Sequence, residues 1–239
     1  MSETVKIRLS GAESTVSAGR SLARTLYTFP LTIRLCGEIG AGKTTFLQGF
    51  ADGLGVCSGI RSPTFAIEQR YGTPQHGELL HIDLHRLSEG DARNALLSTA
   101  SHPGIRCVEW TERAGLPPSD DPAIDILFDD DDPRHRHLTV TFRDVAVPDR
   151  ERVLAWREAV RLPPHIGRHC DAVGTYAEEL AGGMLQRGIL VRPLLLRRAC
   201  ELAACAALLE VEGYAAVGRV VRTHEATIEQ ELFLRSAME

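Results

Sequence analysis

Gly37-Glu38-Ile39-Gly40-Ala41-Gly42-Lys43-Thr44 fits the pattern G-x-x-x-x-G-K-[ST], and its flanks are as informative as the pattern itself. Leu31-Thr32-Ile33-Arg34-Leu35-Cys36 before it reads as a buried strand, and Lys43 to Leu54 after it reads as a helix. In that setting glycines let backbone amides turn inward on a phosphate without Cβ clashes, and the helix N-terminus adds its positive dipole end. Lys43 is then placed to reach between the β- and γ-phosphates of a nucleoside triphosphate, and the Thr44 hydroxyl to ligate Mg2+. Composition supports the reading. Among 27 lysines and arginines only Lys6 and Lys43 are lysines, so a lysine at this loop position is not filler.

Around the loop, residues 1–147 alternate short β-like runs with helical patterns, the signature of an α/β domain with a central, mostly parallel sheet. Strands are predicted at 5–9, 31–36, 65–71, 79–84, 104–109, 123–128 and 137–142, with helices at 18–28 and from Lys43 to Leu54. The acidic run from Asp129 to Asp132 reads as a solvated hairpin loop. A magnesium site also needs a carboxylate at the end of a neighbouring strand. Asp83, after Leu79-Leu80-His81-Ile82, and Glu109, after Ile105-Arg106-Cys107-Val108, both qualify, and the residues alone leave their division of labour open. Ser62-Pro63-Thr64-Phe65 has turn character and suits a switch whose threonine senses the γ-phosphate and metal.

Bulk properties narrow the field. At 239 residues the chain buries its own core without staples. The six cysteines lack C-x-x-C spacing, and no apolar run approaches membrane-spanning length, so a cytoplasmic protein with reduced thiols is expected. A net charge of −5 gives no footprint for unaided nucleic-acid binding.

The linked motifs resemble the TsaE family of bacterial tRNA threonylcarbamoyladenosine synthesis. Its P-loop close to G-D-L-G-A-G-K-T-T, then S-P-T-F, H-x-D-x-Y-R-L and I-E-W, is similar to Gly37 to Thr45, Ser62 to Phe65, His81 to Leu87 and Val108-Glu109-Trp110. Glu13-Ser14-Thr15 is similar too, and the resemblance spans residues 1–145. His85 departs from it, standing where the family has tyrosine. The resemblance implies a Mg2+-dependent ATPase working with a TsaD-type transferase and a TsaB-type partner, and meeting tRNA only through that complex. It implies that Gly37, Glu38, Gly40, Ala41, Gly42, Lys43, Thr44 and Thr45 bind ATP, that Thr44 and Glu109 hold magnesium, that Asp83 supports metal and water, and that Thr64 is the switch threonine.

After Val147-Pro148 the pattern is helical, with segments predicted at 149–161, 165–187, 192–212 and 214–235 and an apolar stripe through Ile166, Cys170, Val173, Ala177, Leu180 and Met184. Residues 148–239 resemble a shortened HD-type phosphohydrolase domain, a small all-α unit. No His-Asp pair stands near Cys200-Glu201-Leu202-Ala203-Ala204. His169 and His224, without a carboxylate, make a poor divalent site, so a degenerate domain with a docking role is expected. Two other classes fit a P-loop: a small-molecule kinase, for which Arg61 and Arg86 are candidate phosphate contacts, and a nucleotide-dependent scaffold without turnover.

Overall fold

The computed structural model describes residues 2–61, 67–116, 121–129, 136–205, 209, 213–215 and 217–221. Thr4–Asp144 and Gly183–Val191 form one compact unit; the other comprises the residues up to Glu3, Val145–Gly182 and the chain from Arg192 onward. Thr64, the acidic run beyond Asp129, and His224 lie outside the described residues.

The first unit is an α/β fold on a seven-stranded mixed sheet, in the order β1-β7-β6-β2-β5-β4-β3. Its strands are β1 (Glu3–Leu9), β2 (Leu31–Cys36), β3 (Glu68–Thr73), β4 (Gly77–Asp83), β5 (Ile105–Glu109), β6 (Ala123–Asp129) and β7 (Arg136–Phe142). The central pairs β6-β2, β2-β5 and β5-β4 are parallel, whereas β3 joins β4 and β7 joins β6 in antiparallel fashion. Leu31, Ile33 and Leu35 alternate onto one face, where they meet Phe46, Leu47 and Phe50 of α2 (Lys43–Gly53). The opposite face near β4 and β5 is filled by Leu80, Ile82 and Val108 with Ala92 of α3 (Glu89–Ser98).

The first helix, α1 (Ala12–Leu22), begins well before the predicted 18–28. Ser14 Oγ accepts from the Gly11 amide at 3.0 Å, and the buried stripe is Thr15, Ala18, Gly19 and Leu22. A stripe built largely of small residues gives a weak apolar signal, and the small residues serve close packing on α2. A Cβ at Gly49 would stand 2.0 Å from the Val16 carbonyl oxygen, so the helices cross where no side chain fits. The third helix, α3, was not predicted; Ser88 caps it by accepting from the Asp91 amide at 3.2 Å.

The second unit holds α4 (Arg150–Ala159), α5 (Pro164–Gln186, its last turn in the first unit) and α6 (Pro193–Glu201). The predicted helix 192–212 breaks at Leu202, where a 3₁₀ turn over Ala203–Cys205 follows. The buried face of α5 runs through Cys170, Gly174 and Ala181, rotated from the predicted stripe, and leaves Ile166 and Leu180 exposed. Inside this unit the buried Glu201 carboxylate takes Arg197 Nε at 2.9 Å and Arg198 Nη1 at 2.6 Å, with Arg150 Nη1 at 3.4 Å. Asp171 in turn receives a fork from Arg150 at 2.7 and 2.8 Å. No helix among the described residues is long and apolar enough to cross a membrane.

Candidate functional site

The parallel strands β2, β5 and β4 end level with one another: Leu35 is in register with Glu109, and Glu109 with Asp83. This is the carboxyl edge of the sheet, where open α/β folds bind ligands. The chain leaves β2 into the glycine-rich loop and enters α2 at Lys43. Gly37 takes φ 137°, and a Cβ there would meet Phe128 Cβ and its carbonyl oxygen at 2.8 Å, so only glycine fits. The loop and the first turn of α2 line a cavity of about 260 Å³ with Asp83, His85, Glu109 and Trp110. The first-turn amides of a helix have no intrahelical acceptor, so Lys43, Thr44 and Thr45 can present donors to an anion here.

Lys43 is buried, 4% exposed, and its ammonium donates to the Gly37 carbonyl at 2.6 Å and the Glu38 carbonyl at 2.8 Å. It also sits 3.8 Å from the centroid of the Trp110 ring. Burial pushes the ammonium below the ordinary lysine value, while Glu109, Glu112 and Asp83 pull it back up. Trp110 is held at φ 63°, ψ 41°, a left-handed conformation costing a bulky residue about 1–3 kcal/mol. Its amide donates to the Leu35 carbonyl at 2.9 Å, and its ring lies 4.7 Å from that of His85.

Glu109 is 3% exposed, and the Thr44 hydroxyl donates to its Oε1 at 2.9 Å, with Oε2 at 3.2 Å. The loop hydroxyl and the strand-end acid are thus joined directly, the pairing a magnesium site in a P-loop protein uses. Asp83, one strand over, accepts from the His85 amide at 3.0 Å. His81, quoted above within the H-x-D segment but given no role, places Nε2 3.0 Å from Glu109 Oε1. The signal was present: a polar residue inside an apolar run, two positions before Asp83 and therefore on the same face of β4.

The donor set fits a nucleoside triphosphate with magnesium. Backbone amides and an ammonium suit phosphate oxygens, and a hydroxyl with flanking carboxylates suits a hard cation. The family model for Threonylcarbamoyl adenosine biosynthesis protein TsaE matches residues 9–138. The tRNA threonylcarbamoyladenosine biosynthesis protein TsaE of Nostoc sp. is 35% identical over 142 residues, 57% of this chain and 86% of the relative. The chain belongs to the TsaE family. The TsaE of Streptomyces coelicolor is 36% identical, over 52% of this chain and 86% of the relative. The crystal structure of Bacillus subtilus YdiB aligns at TM-score 0.45 and 27% identity, covering 59% of this chain and 87% of that one. The TsaE match takes in the whole strand–loop–helix segment and both strand-end acids, and it stops before the helical unit.

Proposed function

We propose that this TsaE-family chain is a Mg2+-dependent ATPase supporting the complex that forms N6-threonylcarbamoyladenosine beside the tRNA anticodon. The observation that carries the reading is the Thr44–Glu109 hydrogen bond at the mouth of the loop. Gly37, Glu38, Gly40, Ala41, Gly42 and Thr45 shape the loop and, with Lys43, bind the phosphate chain. Lys43 exchanges its bonds to the Gly37 and Glu38 carbonyls for phosphate oxygens. Thr44 and Glu109 would hold magnesium, which would supply charge neutralisation to the phosphate chain. Asp83 orients water, and Thr64 is the γ-phosphate-sensing switch residue. Hydrolysis drives turnover or resetting of the TsaD-type transferase and TsaB-type subunit in the cytoplasm, with tRNA held by those partners.

Residues 1–147 carry this activity, and residues 148–239, apart from the Gly183–Val191 segment that clusters with the α/β unit, form a degenerate HD-like docking domain. His169 is exposed, and the Glu201 carboxylate, which sits where a metal ligand is expected, is already taken by arginines. The test is phosphate release by the full chain, with and without the two subunits, and with nucleosides offered as phosphoryl acceptors. Release stimulated by the subunits supports the reading. Transfer to an acceptor would make the chain a kinase, and nucleotide binding without release under every condition would make it a scaffold.

A further inference from the structure

Alternate residues of a strand share a face, so His81 and Asp83 of β4 lie on the same side of the sheet as Cys107 and Glu109 of β5. His81 is in register with Cys107, one row below the Asp83–Glu109 row. It is wholly buried in a run otherwise made of Leu79, Leu80 and Ile82. Its Nδ1 has no hydrogen-bond partner among the described residues. A leucine would fill that volume without burying an unsatisfied nitrogen, so packing does not account for the imidazole. The other nitrogen does: Nε2 lies 3.0 Å from Glu109 Oε1.

We propose that His81 is the positioning residue for Glu109, anchoring the carboxylate so that it meets Thr44 and the cation in one fixed orientation. The proposal rests on the nucleotide-site reading above. A carboxylate only accepts, so the ring carries its hydrogen on Nε2 and donates it. Oε1 then receives both Thr44, at 2.9 Å, and His81, at 3.0 Å, while among the described residues Oε2 has only the longer Thr44 contact at 3.2 Å. Oε2 is the oxygen with capacity left for a cation. Without the imidazole, Glu109 regains rotamer freedom that metal binding must then remove. Groups that orient a metal ligand from behind are worth roughly 10–100-fold in metal affinity.

The test compares His81→Leu, which removes the donor, with His81→Gln, whose amide nitrogen can occupy the place of Nε2. Mn2+ binding to the full-length protein with saturating ADP is followed by its electron paramagnetic resonance signal. ADP affinity in EDTA and thermal melting are measured beside it. We expect His81→Leu to weaken Mn2+ binding roughly 10–100-fold with metal-free ADP affinity unchanged, and His81→Gln to recover most of the loss. In a Glu109→Ala background, where no side chain is left to position, His81→Leu should weaken Mn2+ no further. Equal losses in both His81 variants, no change in either, or a further loss in the Glu109→Ala background would each overturn the proposal. A wild-type protein without ADP-dependent Mn2+ binding would overturn the nucleotide-site reading itself.

Discussion

Lys43 spends its ammonium on two loop carbonyls and the face of Trp110, all contacts that hold it over the place a phosphate chain would fill. The only other lysine, Lys6, is on β1. Lys43→Ala should therefore weaken ATP binding roughly 10–100-fold, the worth of one charge-assisted contact or a little more. Fluorescence titration checks this, with circular dichroism to confirm the fold. Glu109→Gln keeps the shape and the acceptor for Thr44 but neither a charge for the cation nor a base. Binding should persist while hydrolysis falls roughly 10²–10⁴-fold in a phosphate-release assay. An unchanged rate would move that role to Asp83, with Asp83→Asn as the paired variant. The loop lysine, the threonine and both strand-end acids were legible because each is fixed by its distance from a recognisable turn or strand end. His81 stood in a matched segment but without a role, because its meaning depends on a neighbouring strand 28 residues away.

Among the elements, the α1–α2 crossing bears most directly on the site, since α2 presents Lys43 and Thr44 from its first turn. The close approach of Gly49 to the Val16 carbonyl makes this crossing intolerant of a methyl group. Gly49→Ala should cost about 1–3 kcal/mol by overpacking, which lowers Tm by roughly 2–10 °C in a chain of this length. Differential scanning calorimetry decides; an unchanged Tm would mean that the helices separate without penalty. The same packing explains why α1 was misplaced from sequence. Its buried face is Thr15, Ala18, Gly19 and Leu22, which periodicity of large apolar residues does not detect. The strands fared better because Leu31-Thr32-Ile33-Arg34-Leu35 and Ile105-Arg106-Cys107-Val108 are buried runs of strand length. In α5 the apolar pattern was genuine but the packed side was the small-residue one, through Gly174 and Ala181, where neighbours come close. A Cβ on Gly174 would meet the Arg197 carbonyl oxygen at 3.0 Å.

The compact units do not divide the chain into two continuous lengths. Gly183–Val191 clusters with the α/β unit, where the Leu190 amide donates to Ser21 Oγ at 2.8 Å and the Leu190 side chain is fully buried in the main core. No local pattern announces this, because a short segment far along the chain carries no mark of the core it joins. Leu190→Ala should destabilise the α/β unit by about 2–5 kcal/mol, readable in urea denaturation as a lower midpoint. An unaltered midpoint would mean that the segment is dispensable to that core. The fate of the γ-phosphoryl group separates hydrolysis from transfer, and a single turnover of ATP in ¹⁸O-enriched water follows it directly. With Mg2+ and the transferase subunits present, the γ-phosphoryl should appear as inorganic phosphate carrying one water-derived oxygen, and EDTA or Glu109→Gln should suppress it. Recovery of the phosphoryl group on an acceptor, or no turnover by the wild-type protein with or without the subunits, would contradict the account.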